Sequence, residues 1–259
     1  MLDVMGYPGG KGGLYRQLIN LIPSHSVYIE THLGGGAVMR NKLPASRSIG
    51  VDLDKAALES WESADIPDLE IVHADATEFL KRFPFEGCEF VYADPPYVTT
   101  TRRRDRVYRH ELDDEAHLEL LDTLDGIPAK VMVSGYPSEL YDRRLALWRR
   151  KEFVVGSHGL RRTEVVWLNY DPPAIPFDLR FAGTGFRDRQ RIKRKQERIR
   201  GRIECMTPVE RELLLRWLSD TCSGRTNEGE LNSHEDLVPK CYPLAEGGAP
   251  LKRFRESPR

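Results

Sequence analysis

The sequence predicts an open α/β fold: a mostly parallel seven-stranded sheet with one antiparallel strand, covered by helices on both faces. Three observations carry this expectation. Short β-branched or apolar runs alternate with helical stretches up to Tyr170, and that alternation builds a parallel sheet buried on both sides. Glycines or carboxylates close several of the runs, at the strand ends where such sheets hold ligands. The last two runs are separated by only Gly159–Thr163, too short for a parallel crossover, so they form a hairpin and the sheet is expected to end in an antiparallel strand.

In chain order, the expected strands are Val27–Glu30, Ser48–Asp52, Leu69–Val72, Phe90–Ala93, Lys130–Ser134, Phe153–Ser157 and Glu164–Asn169. Each is a short run rich in β-branched or apolar residues, bounded by turn formers. The intervening helices are expected at Leu14–Leu21, Gly36–Lys42, Lys55–Glu62, Ala76–Arg82 and Glu115–Leu124. After Tyr170 the texture changes. Asp171-Pro172-Pro173-Ala174-Ile175-Pro176 reads as an extended linker, because each proline disfavours helix in the residue before it. A basic helix follows at about Phe186–Cys205. Then comes Thr207-Pro208-Val209-Glu210, a capping threonine with proline first and glutamate third in the helix it opens. That helix, Val209–Asp220, carries Leu213, Leu214, Trp217 and Leu218 as one apolar stripe, against which Ile192, Ile199 and Ile203 of the basic helix are expected to dock. Beyond Cys222 the chain is polar and aperiodic and reads as disordered. The organisation is thus a domain at 1–170, a linker with a basic helical extension at 171–221 and a tail at 222–259.

Net charge is −1, so no bulk attraction to a polyanion is built in. Locally the balance differs: residues 187–202 hold nine basic and two acidic side chains, the usual footprint of a nucleic-acid contact or, more blandly, of a solvated helix face. Cys88, Cys205, Cys222 and Cys241 show no C-x-x-C spacing, which disfavours a zinc site or a disulfide framework and suits a reducing compartment. Met1–Met5 has no basic region leading into an apolar run, and no segment reaches membrane-spanning length. A soluble, cytoplasmic protein without a metal is the expectation.

The strongest chemical signal is Asp94-Pro95-Pro96-Tyr97, directly after the apolar run Phe90–Ala93. An adenine amino nitrogen is a poor nucleophile because its lone pair is delocalised into the ring. A carboxylate and a carbonyl that each accept one of its N–H groups draw the nitrogen toward tetrahedral geometry and free that lone pair. Asp94 and the Pro95 carbonyl suit this task, the prolines fix the backbone that aims the carbonyl, and Tyr97 offers a face for stacking a flipped-out base. A turn that merely ends a strand is the competing reading. It fits Asp171-Pro172-Pro173-Ala174, which lacks the aromatic residue.

The second signal is Glu30-Thr31-His32-Leu33-Gly34-Gly35-Gly36 between a strand and a helix. Glu30, Leu33, Gly34 and Gly36 are candidate cofactor contacts, because glycines allow close approach to a helix start. Asp52 closes the second strand, where a carboxylate bonds ribose hydroxyls. Asp75 closes the third, facing a cofactor or capping the next helix.

Tyr7-Pro8-Gly9-Gly10-Lys11 is uninformative by itself. In the order Y-x-G-G-K, E-x-x-x-G-x-G, strand-end aspartate and D-P-P-Y, however, the chain from about Tyr7 to Tyr170 resembles the Dam-like family of DNA adenine-N6 methyltransferases. That resemblance implies a Rossmann-like methyltransferase fold, S-adenosylmethionine as cofactor and duplex DNA as partner. It places Tyr7 and Lys11 in the cofactor motif, Asp52 on the ribose and Asp94 between cofactor and target base, and it gives Glu164 a structural role at the start of the hairpin's last strand. Two departures stand out. Thr31-His32 replace the usual proline and phenylalanine, and only eighteen residues lie between Asp75 and Asp94, where many relatives insert a DNA-recognition domain. Contacts to DNA are therefore expected from Arg102, Arg103, Arg104 and Arg106, or from Arg187, Arg189, Arg191, Lys193, Arg194 and Lys195. Adenine-N6 methylation of RNA, cytosine-N4 methylation of DNA and a catalytically dead nucleic-acid-binding module are the alternatives.

Overall fold

A computed structural model describes residues 11–101, 109–157 and 160–223. Its seven strands are β1 (Val27–Thr31), β2 (Arg47–Asp52), β3 (Leu69–His73), β4 (Glu89–Ala93), β5 (Lys130–Gly135), β6 (Arg149–Ser157) and β7 (Leu160–Leu168). Between them lie α1 (Tyr15–Ile19), α2 (Ala37–Asn41), α3 (Lys55–Glu59), α4 (Ala76–Arg82), α5 (Asp114–Gly126) and α6 (Glu139–Arg144). The strands form one sheet in the order β3-β2-β1-β4-β5-β7-β6, parallel from β3 to β5, with β7 antiparallel to both neighbours. This is the expected mostly parallel seven-stranded sheet with one antiparallel strand.

The central strands are apolar throughout because both of their faces are buried. Successive side chains point to opposite faces. Ile29, Val91, Ala93, Val131, Val133 and Trp167 enter one core with Leu80 of α4 and Leu120 and Leu124 of α5. Tyr28, Phe90, Tyr92, Met132 and Val166 enter the other, with Leu18 of α1, Val38 of α2 and Leu58 of α3. Two cores on one sheet hold the C-terminal ends of β1, β2, β4 and β5 in a fixed row.

Several expectations need correction. The antiparallel strand does not end the sheet: β7 inserts between β5 and β6. Strand β6 starts at Arg149 rather than Phe153, its charged first half paired along β7 in the register Arg149↔Leu168. An edge strand is held by its backbone ladder and has little apolar periodicity to reveal it. Helix α6 was not foreseen. The segment after Tyr170 docks on the core instead of linking two bodies: the Phe177 N–H donates to the Ile22 carbonyl at 3.0 Å, and buried Asp178 accepts from Leu43 N–H at 3.0 Å. Phe181 meets Tyr15 edge-on at 5.7 Å, and Asn20 Nδ2 donates to the Gly183 carbonyl at 3.0 Å. The body of the fold therefore runs to about Gly183.

Beyond it lie α7 (Phe186–Glu204) and α8 (Pro208–Ser223). The capping box is formed: Glu210 Oε2 accepts from Thr207 N–H at 2.7 Å, and Glu210 N–H donates to Thr207 Oγ1 at 3.4 Å. The expected docking of the two helices is not. Helix α7 buries no residue, and Leu213, Trp217 and Leu218 on α8 are exposed. The tail from residue 224, with Tyr7 and with Arg102, Arg103, Arg104 and Arg106, lies outside the described residues. No helix among the described residues is long and apolar enough to cross a membrane.

Candidate active site

The loop after β1 turns sharply, with His32, Gly34 and Gly36 all at positive φ, 59°, 45° and 54°. At Gly36 only glycine fits, because a Cβ there would lie 2.1 Å from the Trp61 ring. Trp61 Nε1 donates to the Gly34 carbonyl at 2.9 Å, and Gly34 N–H donates to Asp52 Oδ2 at 2.6 Å. Asp52 Oδ1 accepts from Asp54 N–H at 2.8 Å, so the end of β2 and the glycine loop form one rigid unit. Burial raises the Asp52 carboxyl above its ordinary range, although both backbone donors oppose the shift.

Glu30 and Leu33 brace this loop from behind. Glu30 Oε2 accepts from Tyr28 OH at 2.8 Å and from Met39 N–H at 2.9 Å, and burial pushes its carboxyl up to about 8. Leu33 sits in the core with Tyr28 and Phe90. Neither side chain lines the cavity on the far side of the loop.

That cavity is walled by Asp52, Asp54, Asp75, Asp94, His32, Pro96, Arg109 and His110, among others. Asp75 caps α4, accepting from Glu78 N–H at 3.0 Å, and lies on the cavity wall. Burial lowers His32 to about 4, so at neutral pH it adds no charge. Arg109 Nη1 lies 3.3 Å from Asp54 Oδ1. Four carboxylates and few cations make the cavity a poor seat for phosphates and a good one for a cationic ligand carrying hydroxyls. Among the described residues no group of side chains is placed to hold a metal ion.

Asp94 stands at the far wall, at the end of β4. Its Oδ1 accepts from Lys11 Nζ and from Ser134 Oγ, each at 2.7 Å, and Ser134 Oγ is also 2.9 Å from Tyr92 OH. Oδ2 has no hydrogen-bond partner among the described residues, so one oxygen is immobilised while the other is left to a ligand. Lys11 is 5% exposed. It also donates to Tyr97 OH and lies 3.6 Å from Glu164 Oε2, while Tyr97 OH donates to Glu164 Oε2 at 3.1 Å. Burial alone would lower the Lys11 ammonium, but the Asp94 and Glu164 carboxylates outweigh it and hold the group well above its ordinary value. Burial raises Glu164, with Lys11 drawing it back.

The expectation for Tyr97 is therefore corrected. Its ring is 5% exposed, with the Lys11 ammonium 4.7 Å from its centre and the Tyr136 ring at 4.1 Å, and it presents no open face. Its hydroxyl is drawn inward by two charged partners from distant parts of the chain, which no local pattern reveals. Pro95 is buried and Pro96 half-buried, as a rigid turn requires. Sequence reasoning missed Ser134, Tyr136, Arg109 and His110. A serine ending a central strand was a usable sign for the first of these. Arg109 and His110, in irregular backbone, gave none.

On α7 the six candidate cations are all outside the core. Arg191 pairs with Asp188 at 2.6 Å and Lys193 with Glu197 at 3.9 Å; Arg189 lies half-buried beside Gly183. Arg187, Arg194 and Lys195 have no ion pair among the described residues.

No protein-family model and no curated protein matches the sequence. Solved structures resemble it loosely. An rRNA methylase from Streptococcus thermophilus is 11% identical, with a TM-score of 0.41 over 60% of this chain and 94% of that one. A dimethyladenosine transferase from Plasmodium falciparum is 17% identical, with a TM-score of 0.41 over 63% of this chain and 61% of that one. TrmK of M. capricolum, solved with S-adenosyl-homocysteine, is 10% identical, with a TM-score of 0.40 over 77% of this chain and 90% of that one. At this level of likeness, function has to be read from the chemistry of the site.

Proposed function

We propose that this chain is an S-adenosylmethionine-dependent methyltransferase that modifies the N6 amino group of adenine in DNA. The observation that carries the reading is Asp94: Lys11 and Ser134 hold its Oδ1, and Oδ2, on the wall of an acidic cavity, has no hydrogen-bond partner among the described residues. The residues present fit the cofactor. Gly34 and Gly36 add no side chain at their own positions, and Asp52 and Asp75, both on the cavity wall, are the carboxylates that would meet ribose hydroxyls and an adenine amino group. The carboxylates around them favour a ligand with a cationic centre. When bound, S-adenosylmethionine supplies a methyl group already activated by its sulfonium.

The chain's own task is to prepare the nucleophile. Asp94 Oδ2 and the Pro95 carbonyl accept the two N–H groups of the target amine, so that its lone pair turns toward the cavity. As the nitrogen becomes positive, Oδ2 stabilises it and is the nearest acceptor for the proton it sheds. Pro95 and Pro96 keep the carbonyl aimed, and the Lys11–Glu164–Tyr97 cluster keeps Asp94 Oδ1 from turning. Arg187, Arg189, Arg191, Lys193, Arg194 and Lys195 supply phosphate contacts without sequence choice.

Transfer of radiolabelled methyl groups to DNA, RNA and protein, run side by side, tests the reading. Label in DNA, recovered as N6-methyladenine, is expected. Label confined to RNA, to protein or to cytosine overturns the assignment, and no transfer at all leaves only the binding-module alternative.

A further inference from the structure

We propose that the flat face for the target base is supplied by Tyr136, and that Tyr97 is a positioning residue in the clamp behind Asp94. This rests on the base-methylating reading above and deepens it.

Stacking requires a ring with an open face beside the reacting atoms. Tyr97 has none, being 5% exposed with its hydroxyl engaged by Lys11 and Glu164. Tyr136 is half-buried and one residue beyond β5, the strand that pairs directly with β4. Alternate residues of an extended chain share a face and lie about 6–7 Å apart. Tyr136 stands two residues after Ser134, whose hydroxyl touches Asp94 Oδ1 at 2.7 Å, and its ring packs on Tyr97, whose hydroxyl meets the Lys11 ammonium that holds the same Asp94 oxygen. The two ring centroids are 4.1 Å apart, with planes at 43°. Its hydroxyl accepts from exposed Arg162 Nη1 at 3.0 Å, which sets the ring's orientation and places a guanidinium at the rim. A base stacked there would have an aromatic floor, a cation at one edge and the Asp94 acceptor at another.

The test uses the full chain with genomic DNA from cells that lack it. It measures kcat/KM for DNA together with S-adenosylmethionine affinity by calorimetry. Loss of one base-stacking contact corresponds to roughly a ten- to hundredfold fall. Tyr136→Ala and Tyr136→Leu are both expected to lose that much kcat/KM, at unchanged cofactor affinity and melting temperature, and Tyr136→Phe to recover most of it. Leucine keeps an apolar contact on Tyr97 without an aromatic face, so it separates stacking from packing. Wild-type kcat/KM in Tyr136→Leu overturns the proposal. So does a Tyr136→Phe defect as deep as that of alanine, which would transfer the role to the hydroxyl and Arg162. If the base-methylating reading itself fails, the wild-type chain already transfers nothing to DNA, before any variant is compared.

Discussion

The two ends of the described chain handle charge in opposite ways. Around the site, Lys11 is buried and set against Asp94, Glu164 and the Tyr97 hydroxyl. Asp178, 1% exposed, is matched by Arg180 and by the Leu43 N–H. Along α7, nine cations face three acids on a helix with no fully buried residue. A buried ion costs several kcal/mol of desolvation unless partners meet it, so the first region admits one arrangement of its side chains. An exposed ion costs little, and its pairs are worth about 0–1 kcal/mol, so the second region places few constraints on its side chains. The site is organised by the protein's own contacts, whereas the proposed phosphate-binding role of α7 depends on a ligand outside the fold.

Four experiments break or sharpen that contrast. Asp94→Ala should have the largest effect, lowering transfer on the order of 10²–10⁴-fold, the usual contribution of a positioned proton acceptor. Cofactor affinity, measured by calorimetry, should weaken only in part because Asp52, Asp75 and the glycine loop remain. Near-normal turnover would remove Asp94 from the mechanism. Lys11→Met comes next. It leaves Asp94 and Glu164 facing each other without their cation, at a cost of about 3–5 kcal/mol, or roughly 10 °C in melting temperature for a domain of this size. An unchanged melting curve would show that the cluster is no more binding than a surface pair.

The third test is a pH profile. Burial holds Glu30 at about 8 when folded against an ordinary 4.5. The folded state therefore binds more protons than the unfolded one in that window, and the stability from this group, complete below 4.5, declines as pH rises toward 8. Lys42, lowered by burial to about 7, acts in the opposite direction: its contribution is present above 10.5 and is lost as pH falls through 7. Between about pH 5 and 7 the slope belongs to Glu30 among these two, and Glu30→Gln should flatten the melting temperature there. A mutant that keeps the wild-type slope excludes Glu30 as its source.

The smallest effect on the folded body should follow from ending the chain before Phe186. Because α7 and α8 contribute no core, melting temperature and cofactor binding should hold. The slope of log DNA affinity against log salt should flatten by about 0.9 for each phosphate contact removed. The methylated sequence context should survive, and long-read sequencing that finds it relaxed would give α7 a part in reading bases.

Much of this was visible in the sequence because it is local. The apolar runs at Val27–Ile29, Phe90–Ala93 and Val131–Val133 specify buried strands through their side-chain period alone, and Thr207 with Glu210 specifies a helix start through one turn of backbone. Asp94-Pro95-Pro96-Tyr97 and the glycines after Glu30 are compact enough to be read as strand-end loops with a chemical task. What depends on distant contacts was not visible. Lys11 and Asp94 are 83 residues apart, and Tyr97 and Glu164 are 67 apart; only the stacking of β1, β4, β5 and β7 side by side brings them together. The same packing turned Tyr97 inward and left Tyr136 half-open, docked Phe177 and Asp178 on the body, and set β7 inside the sheet rather than at its edge. Sequence pattern determines which residues leave water and in what rhythm. Which buried charge meets which partner is decided by tertiary structure, because desolvation can be offset only by groups that the completed fold carries to within hydrogen-bonding distance.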